Sequence, residues 1–274
     1  MGVTQRDSTE TWGIPYPITA PAGSRDPFYY AVSRYSGGSD HVVFLDGAVR
    51  VPAIMFICWP DMWYHTSGDL PDKSDATQLK RVGILGAAAA LFLANAGPGD
   101  VDRIAAEVQG RALGRIGKDR LAAERMVAGA DAKGVAAVNK EALNVVRQAM
   151  AREKEALASV RFFAEGNAAA EAGLAKRVEA FGGLEGAFLK DLTGVYERRC
   201  AALKVKPERP VLTKDELRLS RVIPRRTAKM GSIMDFWRLG AEVRKRTDLP
   251  KYNLGRADFE VRNFIDGKRS ILAT

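Results

Sequence analysis

Residues 36–75 read SGGSDHVVFLDGAVRVPAIMFICWPDMWYHTSGDLPDKSD, and the fold turns on the centre of that stretch, VPAIMFICW at 51–59. The run is β-branched, aromatic and continuously apolar, the pattern of a strand covered on both faces in the interior of an α/β sheet. A polar loop, PDMWYHTSGDLPDKSD, follows it. Ser74 or Asp75 then offers a helix N-cap, and 76–96 reads as a helix whose middle, 82–94, is apolar or glycine throughout. Such a helix is expected to be buried. Its apolar stretch of 13 residues falls short of the roughly 20 that a bilayer requires, so no membrane span is expected.

Outward from this segment the chain changes character on both sides. Residues 1–40 are rich in Gly, Pro, Ser and aromatics, and Pro15, Pro17, Pro21 and Pro27 interrupt any helical run, which predicts loop. They hold no basic stretch followed by an apolar run, so no signal peptide is expected. After Gly97-Pro98-Gly99 the sequence becomes rich in Ala, Lys, Arg and Glu with helical spacing, which places a domain boundary near residue 100. Leu143, Val146, Met150, Leu157 and Val160 form one apolar stripe, and Leu184, Phe188, Leu192, Val195 and Leu203 form another, as in helix-on-helix packing. Residues 206–226 read as a linker or extended arm, and 233–247 as a short amphipathic helix. The expected organisation is an α/β segment at 1–100, a helical region with a basic linker at 101–230, and a helical tail at 231–274.

The composition, 46% hydrophobic and 27% charged over 274 residues, is that of a globular chain rather than a disordered one. The net charge of +9 is unevenly spread: residues 1–100 carry −3 and the remainder +12. Any polyanion-binding function therefore belongs to the second region, where Arg225, Arg226, Arg244, Lys245, Arg246, Lys268 and Arg269 are the candidates. No zinc-finger spacing or Gly-rich phosphate loop accompanies them, and a basic helix face is ordinarily solvated, so nucleic acid is the less favoured partner. Cys58 and Cys200 lie far apart and make no metal-ligand spacing, which predicts reduced, structural thiols.

The residues that carry chemistry cluster around the apolar run. A Gly-Ser-Asp-His turn, ending in Ser39, Asp40 and His41, precedes it, and a Tyr-His-Thr loop at Tyr64, His65 and Thr66 follows its C-terminal end. Ligands of open α/β sheets bind at that end, so His65 stands where a functional residue is expected.

These paired motifs, spread over 35–94, resemble the last strand, loop and helix of zinc-dependent exopeptidases of metallopeptidase family 28. The resemblance implies that His65 is a zinc ligand and that the Tyr64 hydroxyl faces the oxyanion of a tetrahedral intermediate. By the same resemblance Ser39 and Asp40 line the substrate pocket, and Asp69 either buttresses the histidine loop or simply forms a turn. His41 falls outside the family's ligand set and is left as a pocket or structural residue.

The implied cofactor is zinc and the implied substrate a peptide cleaved at a terminal bond. The family also requires a His-x-Asp motif, a Glu-Glu pair and a further Asp, yet this sequence has two histidines, no His-x-Asp and no Glu-Glu. One imidazole cannot hold a catalytic zinc, for which three protein ligands are the usual minimum. The chain is therefore expected to be a C-terminal portion, inert alone, that depends on a missing N-terminal portion, a partner subunit or a homo-oligomer.

The rival expectation makes the helical region an interaction module for a protein partner or nucleic acid. The final VRNFIDGKRSIL is similar to the opening of a small winged-helix module, which implies a truncated one at the tail.

Overall fold

A computed structural model describes residues 19–226 except 34, and 261–273 except 262. Within them every regular element is helical: α1 (His41–Phe44), α2 (Ala76–Asn95), α3 (Val101–Gly129), α4 (Val135–Ala158), α5 (Arg161–Ala164), α6 (Ala168–Gly182), α7 (Leu184–Leu203) and α8 (Lys214–Leu219), with short 3-10 turns between some of them. Among the described residues the fold is all-α, with no strand, which corrects the expectation of an α/β segment. Residues 51–59 have no regular secondary structure. The physical reason is the absence of a ladder: among the described residues Val51 alone in this run makes a backbone hydrogen bond, its N–H donating to Phe44 O at 2.8 Å. A strand exists only through a paired neighbour, and an apolar run without one cannot satisfy its backbone as a strand.

The chain divides into two compact units, Met1–Ala88 with Leu212–Thr274, and Ala89–Val211. In the first, residues 19–28 lie across the beginning of α2. Asp75 caps that helix, its Oδ1 accepting from Gln78 N at 2.8 Å while Oδ2 accepts from Ser24 N at 2.8 Å. Those amide donors outweigh a small desolvation penalty and hold the Asp75 carboxyl below its ordinary range. The buried Thr77 hydroxyl accepts from Ala20 N at 3.1 Å. Lys80 and Arg81 donate to the carbonyls of Thr19 and Asp26. Gly23 permits this approach, since a Cβ there would stand 2.2 Å from Thr77 Oγ1.

Beyond that first turn α2 is not buried, contrary to expectation: Leu79, Ile84, Leu85, Leu91, Phe92 and Leu93 are all exposed. Thr77 is its sole buried residue. Over its whole length α2 is long and apolar enough to cross a bilayer, with a mean hydropathy of 1.2 in its most apolar window. One such helix, judged by length and composition only, carries no membrane assignment.

The second unit is built on an antiparallel hairpin of α3 and α4. The buried residues of α3, Val101, Ala105, Ala112, Ile116, Ala123 and Val127, recur as two positions in every eleven. An 11-residue period is close to that of a straight α-helix, so one face stays inward along the whole element. Val101, Ala105, Ala112 and Ile116 pack with Ala149, Met150 and Leu157 of α4 and with Leu174 and Phe181 of α6. At the other end Ala123 and Val127 pack with Val135, Ala142, Leu143 and Val146 of α4 and with Leu192, Tyr196 and Cys200 of α7. The stripe from Leu143 to Val160 is buried at every position, as its spacing predicts.

Polar side chains lock this packing. Arg199 donates twice to Ala130 O, at 3.0 and 2.6 Å, which holds α7 against the end of α3. The Tyr196 hydroxyl accepts from Glu208 N at 2.8 Å and donates to its carbonyl at 3.3 Å, pinning the chain that leaves α7. That chain is irregular as far as Thr213, where the box of Thr213 and Glu216 starts α8 inside the stretch read as a linker. Cys200 is buried in the core, whereas Cys58 is free and exposed and has no packing role. The helix expected at 233–247 and most of the proposed winged-helix tail lie outside the described residues, as do Arg244, Lys245 and Arg246.

Candidate functional site

The loop at 60–75 is shaped by local polar contacts. Asp61 Oδ1 accepts from Trp63 N at 2.8 Å. The Thr66 hydroxyl donates to Trp63 O at 2.7 Å and accepts from Gly68 N at 3.2 Å. The Asp69 amide closes onto Thr66 O at 3.2 Å, which makes Asp69 a turn residue through its backbone. Gly68 lies beneath the Trp63 ring, where a Cβ would come within 2.8 Å of Cε3, and the Lys73 ammonium sits over the same ring at 4.8 Å.

His65 takes a left-handed backbone, with φ 61°. A non-glycine residue pays about 1 kcal/mol for that conformation, with histidine among the residues that tolerate it best. The turn sets the imidazole against the Tyr64 ring, with centroids 3.8 Å apart and planes 20° apart. Trp59 meets the other ring edge-on at 5.8 Å. Trp59, the last residue of the apolar run, thus joins Tyr64 and His65 in one exposed aromatic cluster.

The residues of the upstream turn are placed differently. Ser39 and Asp40 are exposed and lead into α1, with Asp40 at its N-cap. His41 donates from Nε2 to Ser36 O at 2.8 Å and tilts against Tyr35 at 5.9 Å, so it stabilises the turn. Among the described residues, neither Ser39 nor Asp40 shares a hydrogen bond, ion pair or ring contact with Tyr64, His65 or Asp69. Nor do any three His, Cys, Asp or Glu side chains converge as a potential metal site among the described residues. His65 by itself does not fit a zinc ion, which needs three or more protein ligands.

Comparison with protein-family models, curated proteins and solved structures found no match.

One buried charge cluster among the described residues was not anticipated from the sequence. Glu153 is 2% exposed in the α3–α4 interface. Arg115 grips it with two bonds, Nε to Oε1 at 2.9 Å and Nη2 to Oε2 at 2.6 Å, and Arg152 Nε adds a third at 2.8 Å. Burial pushes the Glu153 carboxyl up, but the two guanidinium groups prevail and hold it below its ordinary range. Arg152 also reaches Asp119 at 2.8 Å. A glutamate falling on the buried stripe of α4 was the available signal, since a carboxylate among core positions demands a cation opposite.

Proposed function

We propose that this chain is the C-terminal part of a zinc-dependent exopeptidase of metallopeptidase family 28 and contributes His65 as one ligand to a site that other residues complete. The observation carrying this reading is the exposed His65 imidazole, set on a left-handed turn and stacked on Tyr64, in the loop after an apolar run most of whose side chains are exposed. Ile54 is 74% exposed and Trp59 is 64% exposed. A solvated run of that composition is ordinarily an interface, because leaving it in water forfeits about 25 cal/mol for each Å². The further polypeptide that covers it is the natural source of the missing metal ligands and of the carboxylate base. Peptide substrate belongs to the completed site, with Ser39 and Asp40 on its margin.

The test is purification of the chain together with any polypeptide that forms a stable complex with it, followed by measurement of zinc content and of turnover of chromogenic aminoacyl substrates. The complex should hold zinc stoichiometrically and turn over substrate, and His65→Ala should abolish both. A complex that keeps its zinc and activity with Ala at 65 refutes the role of His65. Zinc and turnover in the chain alone refute the claim that it is incomplete.

A further inference from the structure

The basic residues near the C-terminus suggest a second site, independent of the first. Within the first unit, Gly47, Ala48 and Arg50 meet Arg225, Arg226, Asn263 and the Asp266-Gly267-Lys268 turn around a cavity of about 430 Å³. Its wall is fixed by contacts between residues far apart in sequence. Gly47 N donates to Asn263 Oδ1 at 2.7 Å, and Arg226 Nη1 lies 3.3 Å from Oδ1 of the buried Asp46. A Cβ at Gly47 would come within 3.0 Å of Asn263 Oδ1 and 3.1 Å of Arg226 Nη2, so the glycine permits the close approach.

Among the described residues that line the cavity the charges do not balance. Arg226 is matched by Asp46. Asp266, the one carboxylate among the described lining residues, is occupied by its own turn, with Oδ1 accepting from Lys268 N at 2.8 Å and from Arg269 N at 2.9 Å. Arg50 uses Nε on Gly47 O at 2.7 Å, which leaves its terminal nitrogens available. Among the described residues Arg50, Arg225 and Lys268 form no ion pair, and all three line the same cavity. Gathering like charges around one concavity is unfavourable until an anion enters it.

We propose that this cavity binds a phosphate-bearing small molecule. A phosphate monoester offers close to two negative charges and three acceptor oxygens, which suits two guanidinium forks and one ammonium better than a single carboxylate does. The volume falls in the range of small-ligand sites, and the cations gather around one space of that size, which points to a small phosphate compound.

The experiment is calorimetric titration of the intact chain with AMP at low ionic strength, beside citrate and a short single-stranded oligonucleotide. AMP should saturate one site per chain. The double substitution Arg225→Ala with Lys268→Ala should weaken it at least tenfold, while Arg125→Ala on the helical unit leaves it unchanged. Both substituted residues are exposed, so Asp46 with Arg226 and Gly47 with Asn263 remain to hold the wall, which an unchanged far-UV spectrum verifies. Failure of AMP to saturate, or equal weakening by Arg125→Ala, overturns the proposal. Tighter binding of citrate would assign a carboxylate ligand instead. Preference for the oligonucleotide, lost in the double variant, would assign the cations to nucleic-acid phosphate and overturn the small-molecule reading.

Discussion

Replacing Glu153 by Gln removes the charge at the centre of the helical unit and keeps its shape. The wild-type carboxylate accepts three hydrogen bonds from Arg115 and Arg152 at 2.6 to 2.9 Å. Charge-assisted bonds of this kind contribute about 1.5–3 kcal/mol each when measured by deletion, and breaking a fully buried pair costs about 3–5 kcal/mol. Here the arginines are 48% and 54% exposed, so on losing their anion they regain water and the cost falls well short of that upper range. Glutamine also retains an acceptor oxygen for one donor. The expected loss is about 2 kcal/mol, which for a unit of this size lowers the melting temperature by roughly 8 °C.

The pH dependence supplies a second, independent readout. The folded-state pKa of Glu153 is lowered from the ordinary 4.5. The wild-type advantage is therefore complete above that value and disappears as pH falls through the folded-state pKa. Thermal melts followed by ellipticity at 222 nm should show the full gap between wild type and Glu153→Gln at pH 7 and a narrowing gap between pH 4 and 3. A gap under about 2 °C at pH 7, or one that persists unchanged at pH 3, would refute the assignment of the stabilisation to ionised Glu153.

Two further outcomes test the packing of each unit by itself. Phe181, 1% exposed in the cluster joining α3, α4 and α6, should cost about 4 kcal/mol when changed to Ala, read as a lowered urea midpoint with an unchanged slope. Gly23→Ala would set a Cβ 2.4 Å from Thr77 N, and must push residues 19–28 off α2. Amide exchange at Ala20 and Ser24 should accelerate about tenfold or more, and unaltered protection there would show that the contact with Thr77 is not formed.

Where one element carries its own evidence, the sequence was readable. Asp75 is a short acceptor just before an apolar helix, and the observed α2 begins at the next residue with Asp75 as its cap. The stripe from Leu143 to Val160 shows its buried face through spacing alone. The helix α8 was equally legible in Thr213-Lys214-Asp215-Glu216, a capping box, but Pro207 and Pro210 just upstream directed the reading to a linker. The pairing of Glu153 with Arg115 joins residues 38 apart, and no local pattern specifies which arginine of a helix will face a glutamate of the next. The site was legible in the same partial way. The local turn sets His65 against Tyr64, whereas no three His, Cys, Asp or Glu side chains converge as a metal site among the described residues, and no local spacing could have shown that.

The two errors about the first unit share one cause. Reading 51–59 as a covered strand and 76–96 as a buried helix both inferred a surrounding surface from apolar composition. Composition measures the demand for such a surface, not its presence. In the structure Phe56 lies 3.8 Å from the position of a Cβ on Gly86, so the two segments meet each other, yet each leaves most of its apolar side chains in water. The unmet demand is thus contiguous within this unit, and it adjoins the aromatic cluster that presents His65. On the exopeptidase reading proposed above, a polypeptide covering that surface would bring its own side chains to the imidazole in the same event, so acquiring a packing partner and completing the site would be a single step. Soluble complex formation and zinc retention should consequently rise together across any series of substitutions at Ile54, Phe56 and Leu85, and a substitution that preserves the complex while altering metal content would separate them.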